Sequence, residues 1–193
     1  PHALFAGYGG QAAALAGFYH ITGWPDRDPA GPYGAYTDFV NPPNGLAAVV
    51  AALDHRRRTG QGQHIDLSQF ECAVQYMAPA ILDYGVTGSI FNRRGNLDDR
   101  YVPHNVYPCE QVGDPLPGGA WCAIVVTSDE EWRALVQVMD SPSLASDPRF
   151  ASFEDRKRHE EELDQLIAAW TCRKKAHDVM VVLQDAGVPA GVV

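Results

Sequence analysis

Few residues in this chain suggest chemistry by type and spacing, and the clearest group lies near its start. Gly7-Tyr8-Gly9-Gly10-Gln11 stands ahead of an alanine-rich segment. Glycine backbone and the free N–H groups at the head of a helix can cradle an anion. The pattern is not GxGxxG and no strand clearly precedes it, so a packing turn is the competing reading. Of seven histidines, His55, His64 and His104 included, none has a second histidine at ligand spacing, so no metal site is expected. No serine occupies a nucleophile elbow. Cys72, Cys109, Cys122 and Cys172 form no CxxC pair, which fits small buried thiols in a reducing compartment better than a disulfide framework. Glu160-Glu161-Glu162 reads as a solvated helix face.

Composition narrows the partners. With 193 residues and 46% hydrophobic content, the chain can bury one core or two small ones. Its formal net charge of -9 with only 15 Lys plus Arg is unfavourable for nucleic acid, where phosphate neutralisation dominates affinity. The longest apolar stretch, residues 46–53, is far too short to span a membrane. Pro1-His2-Ala3-Leu4-Phe5 lacks an initiating Met, so a piece of a longer, cytoplasmic protein is expected.

The elements that must position any site follow from period and punctuation. Residues 10–22 read as a helix whose sparse large side chains favour close backbone packing. Residues 23–44 hold Pro25, Pro29, Pro32, Pro42 and Pro43 and are expected to form an aromatic-rich loop without regular structure. A helix is expected over 44–58 behind a capping Asn44, ending in Arg56-Arg57-Arg58, whose charges complement the helix dipole; a phosphate-binding role is the other reading. Residues 63–67 alternate as a short strand would. Ser68-Gln69-Phe70-Glu71 is a capping box opening a helix to about Tyr84, kinked at Pro79.

Beyond a mixed-charge loop at 88–104, strands are expected at 105–109 and 121–126, joined by the turn-rich 113–119. Ser128-Asp129-Glu130-Glu131 is a second capping box, opening a helix with Trp132, Leu135, Val136 and Met139 on one face. Further helices set Leu163, Leu166, Ile167 and Trp170, then Ala176, Val179, Met180 and Leu183, at core spacing, and Gly187 stops the last. A strand-like tail follows. The fold class is therefore α/β, in the looser α+β sense, with the composition break at 88–104 as domain boundary: residues 1–88 and 89–193.

One run of motifs is long enough to carry a resemblance. Ala35-Tyr36-Thr37-Asp38, Gly45-Leu46-Ala47-Ala48, Ala51-Ala52-Leu53 and Arg57-Arg58-Thr59-Gly60-Gln61-Gly62-Gln63-His64-Ile65-Asp66-Leu67-Ser68 follow one another. Arg94-Gly95-Asn96, Pro103-His104-Asn105-Val106-Tyr107-Pro108, Asp129-Glu130-Glu131-Trp132, Asp147-Pro148-Arg149-Phe150-Ala151 and Ala186-Gly187-Val188-Pro189-Ala190-Gly191-Val192 come downstream. The series resembles the family III coenzyme A transferases (the CaiB/BaiF-like superfamily), which include formyl-CoA and carnitine CoA transferases and the α-methylacyl-CoA racemases.

That resemblance implies helices of a Rossmann-like large domain with a linker over 1–88, followed by a small α/β domain over 89–193. It implies subunits that interlock as rings, in a homodimer or a heteromer. Acyl-CoA and a carboxylic acid would be the small-molecule partners, with the CoA thioester as substrate and no covalently bound cofactor. The family's aspartate attacks a donor thioester to give an anhydride, CoA thiolate forms an enzyme thioester, and the acceptor acid completes the exchange. Aligned on Ala16-Gly17 and Thr22-Gly23, that aspartate's position falls on Gly9, after Tyr8. Asp38 is the nearest acidic alternative; its other reading is a loop Asp bonding backbone N–H groups. Gly95, Asn96 and His104 match a mobile active-site loop that is glycine-rich in the family and not here. The racemase branch's glutamate position falls near Ser128. Three outcomes are thus in view: a CoA transferase whose nucleophile comes from elsewhere, a silent scaffold or partner subunit, and, least favoured, an acyl-CoA racemase. On its own the segment is expected to be inactive.

Overall fold

The computed structural model describes residues 7–111 and 120–193. The opening Pro1–Phe5 and the 113–119 turn fall outside them. The chain divides into two compact units, the first running to Gly95 and the second beginning at Asn96.

The first unit is all helix: α1 (Gly9–Leu15), α2 (Phe18–Ile21), α3 (Tyr36–Thr59), α4 (Gln69–Gln75) and α5 (Ala78–Thr87). The helix expected over 10–22 is two pieces, because Gly17 adopts φ 98° between them and closes α1. Its small residues do permit close packing: Ala12 and Ala13 are buried, and α1 packs on α3 and α4.

The expected 23–44 loop is corrected over its last third, where α3 already begins at Tyr36 and runs through Pro42 and Pro43. A proline inside a helix forfeits a hydrogen bond and crowds the preceding turn, costing about 3 kcal/mol. Packing of α3 against α1 and α4 outweighs that local preference. Asn44 is not a cap; its Nδ2 donates back to Val40 O at 3.3 Å, where Tyr76 Oη also donates. Gly60 closes α3 in the left-handed region, its N–H on Arg56 O at 2.8 Å, and Arg58 pairs with Asp54 within the last turns. That is the helix-end reading of the arginine triplet.

Residues 63–67 form no strand, since no described strand offers them a ladder partner. Ser68 does cap α4, its Oγ accepting from Glu71 N at 3.2 Å. Pro79 ends up in the first turn of α5 and marks a break between two helices rather than a kink, because its missing N–H costs nothing there.

The second unit packs helices on a three-stranded antiparallel sheet of β1 (His104–Pro108), β2 (Trp121–Val125) and β3 (Ala190–Val192), in the order β1-β2-β3. His104 lies opposite Val125 and Tyr107 opposite Cys122. The strand-like tail is thus the third strand. Helices α6 (Asp129–Val138), α7 (Pro142–Ser146), a 3-10 turn (Pro148–Phe150), α8 (Phe153–Arg158), α9 (Glu160–Thr171) and α10 (Ala176–Asp185) supply the rest. Alternation along β2 buries Cys122 and Ile124 against Leu135, Leu163, Ile167 and Leu183, all fully enclosed.

Leu166 departs from its expected burial and is exposed, since the core stripe of α9 is only as wide as Leu163 and Ile167. Ser128 caps α6 as its motif requires, while Glu131 Oε2 reaches back to Thr127 N at 2.5 Å. Gly187 at φ 82° and Val188 complete a Schellman end on α10, with Val188 N on Leu183 O at 2.8 Å. The architecture is helix-rich with a small antiparallel sheet, an α/β fragment as expected. No described helix is long and apolar enough to cross a membrane.

Candidate active site

In the first unit the glycine run and the Thr-Asp pair come together. Gly9 opens α1 and is buried, while Tyr8 before it is exposed. Thr37, fully buried in the first turn of α3, donates from Oγ1 to Gly9 O at 2.8 Å. Gln69 at the head of α4 donates through Nε2 to Thr37 Oγ1 at 2.8 Å and to Asp38 Oδ1 at 2.5 Å. The three helices α1, α3 and α4 therefore meet at one polar knot of Gly9, Thr37, Asp38 and Gln69.

The need for glycine at position 9 is spatial. Its φ is not in the left-handed region, yet a Cβ built there would lie 2.7 Å from Ala35 Cβ and 2.7 Å from both Cγ and Oδ1 of Asp38. Ordinary contacts between such atoms are about 3.5–4.0 Å. The carboxyl group of Asp38 thus fills the space where a side chain at position 9 would begin. Oδ2 of Asp38 accepts no hydrogen bond among the described residues, and the residue is exposed.

Asn96 and His104 come together in the second unit, in a structural network. His104 Nδ1 lies 2.6 Å from Asn96 O, and Asn96 Nδ2 donates to Asn105 Oδ1 at 3.0 Å. Asn105 Nδ2 and Tyr107 Oη both donate to the Asp164 carboxylate, at 2.7 and 2.5 Å. Burial, reinforced by the adjacent Asp164 charge, pushes the Tyr107 phenol far above its ordinary range. Gly95 sits apart from this, with φ 63° and its N–H on Gly23 O at 2.8 Å. A Cβ there would meet Trp24 Nε1 at 2.5 Å, so its glycine is needed for packing.

A family model for CoA-transferase family III matches residues 1–193, the whole chain. The chain belongs to CoA-transferase family III. It is 37% identical over 191 residues to a succinyl-CoA–D-citramalate CoA-transferase of Chloroflexus aurantiacus, covering 99% of this chain and 46% of that protein. It is 29% identical over 191 residues to a succinate–glutarate CoA-transferase of Agrobacterium fabrum, again with 99% and 46% covered. A CaiB/BaiF family protein from Brucella suis has the same fold at a TM-score of 0.88 and 30% identity, over 99% of this chain and 48% of that one. The chain spans about half the length of the relatives it matches.

Within this family III chain the second unit holds its own polar cleft, lined by Asp99, Arg100, Thr127, Ser128, Asp129 and Arg156. Arg156 is buried there, donating to Asp129 Oδ1 at 2.7 Å and lying over the Trp132 ring at 5.0 Å. Ser128 is committed to capping α6, with its hydroxyl on Glu131 N. Cys72, Cys109 and Cys122 are buried free thiols, whereas Cys172 is exposed and corrects the expectation for that residue. Glu160 likewise departs from the solvated face, packed in an ion pair with Lys157, while Glu161 stays exposed. Among the described residues no three His, Cys, Asp or Glu side chains gather to hold a metal.

Sequence reasoning missed Thr37 and Gln69 as partners of the glycine run. Their signals were present: Thr37 stands in the Thr-Asp pair, and Gln69 is a long amide beside a helix cap. Neither signal states that the two segments meet Gly9.

Proposed function

We propose that this chain works in a protein that transfers CoA from an acyl-CoA thioester to a carboxylic acid. The observation that carries the reading is the family III match over the full length of the chain. The named relatives use succinyl-CoA and D-citramalate, or succinate and glutarate, all dicarboxylic. Dicarboxylic acids and their CoA esters are therefore the first substrates to test. The first unit supplies an exposed carboxylate at a fixed position beside Gly9, in keeping with this chemistry.

Two other readings weigh less. A silent scaffold rests on Gly9 alone, and the Asp38 carboxylate beside it lessens the force of that substitution. An acyl-CoA racemase needs an acid–base pair, and Ser128 is occupied as a helix cap. Exposed apolar residues on α3, among them Leu46, Val50 and Leu53, support further protein over that face, from the rest of the subunit or from a dimer or heteromer partner. A cytoplasmic address and a two-domain subunit, with Asn96 and His104 near the bound thioester, belong to the same proposal.

The test is direct. Full-length protein is incubated with succinyl-CoA and either glutarate or D-citramalate, and the CoA esters are separated by chromatography. Appearance of the acceptor's CoA ester, with succinate released in equal amount, is the expected result. No new thioester from a panel of mono- and dicarboxylic acceptors would overturn the reading.

A further inference from the structure

We propose that the polar cleft of the second unit is a binding site for a carboxylate group, with the outer edge of the Arg156 guanidinium and the head of α6 as its donors. The site stands on geometry within that unit. Its assignment to one end of a dicarboxylic substrate rests on the transfer reading above. The cleft encloses about 380 Å³, in the range of small-molecule sites, and Asp99, Arg100, Ser128, Asp129 and Arg156 line it.

Arg156 is the unusual member. Its side chain is 3% exposed, whereas that of Asp129, with which it pairs, is 57% exposed. Nη2 donates to Asp129 Oδ1 at 2.7 Å and Nη1 to Phe150 O at 3.4 Å, while the Trp132 ring packs on the guanidinium at 5.0 Å. Nε is enclosed and donates to nothing among the described residues. Nε–H and the neighbouring Nη2–H run parallel along one edge of the guanidinium, and such an edge grips both oxygens of a single carboxylate. Asp129 fills only the Nη2 half, with one oxygen. The edge that meets Asp129 in the cleft therefore ends in an unfilled donor, which a buried site seldom leaves unmade. An incoming carboxylate takes Nε and shares Nη2 as the exposed Asp129 side chain turns outward.

The head of α6 borders the same cleft. Ser128 Oγ accepts from Glu131 N, so the cap leaves the N–H groups of Asp129 and Glu130 unserved in the first turn. Those groups and the positive end of the helix dipole favour an anion. Arg100 adds a second cation at the rim, its Nε 3.5 Å from Asp98 Oδ1. Charge then decides among anions. Arg100 and Arg156 are balanced by Asp99 and Asp129, so the lining is formally neutral. It accepts the single charge of a carboxylate more readily than the two of a phosphate. The same balance sets the direction of one test, since removing the Asp129 charge should tighten binding.

The experiment titrates glutarate, and separately inorganic phosphate, into the full-length protein by calorimetry, with Arg156→Lys and Asp129→Asn beside the wild type. The variants isolate the cleft from any other acid site of the protein. Arg156→Lys keeps a cation for Asp129 but has no fork, and should weaken glutarate binding by about tenfold or more. Asp129→Asn keeps an oxygen for Nη2 and should strengthen it by about threefold. No glutarate binding by the wild type, or binding that neither substitution moves, overturns the site. Should Arg156→Lys fail to fold, Asp129→Asn decides alone. Phosphate binding tighter than glutarate overturns the choice of a carboxylate. Transfer assays on the same proteins test the link to substrate: in Arg156→Lys the KM for glutarate should rise by about tenfold while that for acetate stays unchanged. Cleft binding with KM for glutarate unmoved removes that link and leaves the transfer reading standing. Cleft binding without any transfer by the wild type removes the transfer reading and leaves the carboxylate site standing.

Discussion

Replacing Gly9 by alanine tests the packing around Asp38 directly. The added methyl would start 2.7 Å from Ala35 Cβ and from the Cγ and Oδ1 of Asp38. Relief to ordinary contact requires movement of about 1 Å. The Asp38 side chain can rotate away, but only by giving up its 2.5 Å bond from Gln69. Ala35 has no rotamer to change, so the backbone of α1 or α3 must shift, straining the buried Thr37 bond to Gly9 O. Overpacking of this kind costs about 1–3 kcal/mol, and replacing a helical glycine with alanine returns about 0.5–1 kcal/mol. A net loss of about 1–2 kcal/mol is expected. The denaturation midpoint of the full-length protein measures it, with transfer rate assayed alongside and expected to fall about tenfold or more as Asp38 is displaced. Gly10→Ala is the internal control, because a Cβ there meets only Tyr19 Oη, at 3.9 Å. It should be neutral or slightly stabilising. Gly9→Ala with unchanged stability and unchanged rate would refute the reasoning. Gly9→Asp is expected to do worse than alanine, since it crowds the same space and sets two like charges side by side.

Four further outcomes follow from the same structure. Gly95→Ala combines a left-handed φ of 63° with a 2.5 Å approach to Trp24 Nε1, so a loss of about 2–4 kcal/mol and a shifted indole emission are expected. Tyr107→Phe removes a buried donor to Asp164 and should lower the urea midpoint by an amount worth about 1–3 kcal/mol, with Asn105 left to serve that carboxylate. Burial pushes the Cys109 thiol up to about 11 from its ordinary value of 9.0. The unfolded chain then releases this proton first, so the contribution is present below pH 9.0 and fades as pH rises toward about 11, which alkaline denaturation curves should show as falling stability. In thiol labelling at neutral pH, Cys172 should react first and the three buried cysteines only after unfolding.

Much of the local structure follows from the amino-acid sequence alone. Ser68 and Ser128 cap the helices their motifs announce, Gly187 ends α10, and both expected strands of the second unit lie within a residue of their predicted bounds. These are short-range effects, set by one side chain and the next turn of backbone. The family could be read from the motif series for a similar reason, since motif order is a property of the chain. The tertiary structure decided what depends on partners far away. It carried a helix through Pro42 and Pro43 because packing outweighed local preference, and it denied a strand to 63–67 for want of a described neighbour. It also determined what Gly9 means. Thr37 is 28 residues away, and Gln69 lies 31 residues beyond Asp38. By itself the sequence shows a glycine run ahead of a helix. Only the packing of α1, α3 and α4 shows that the Asp38 carboxylate lies against it.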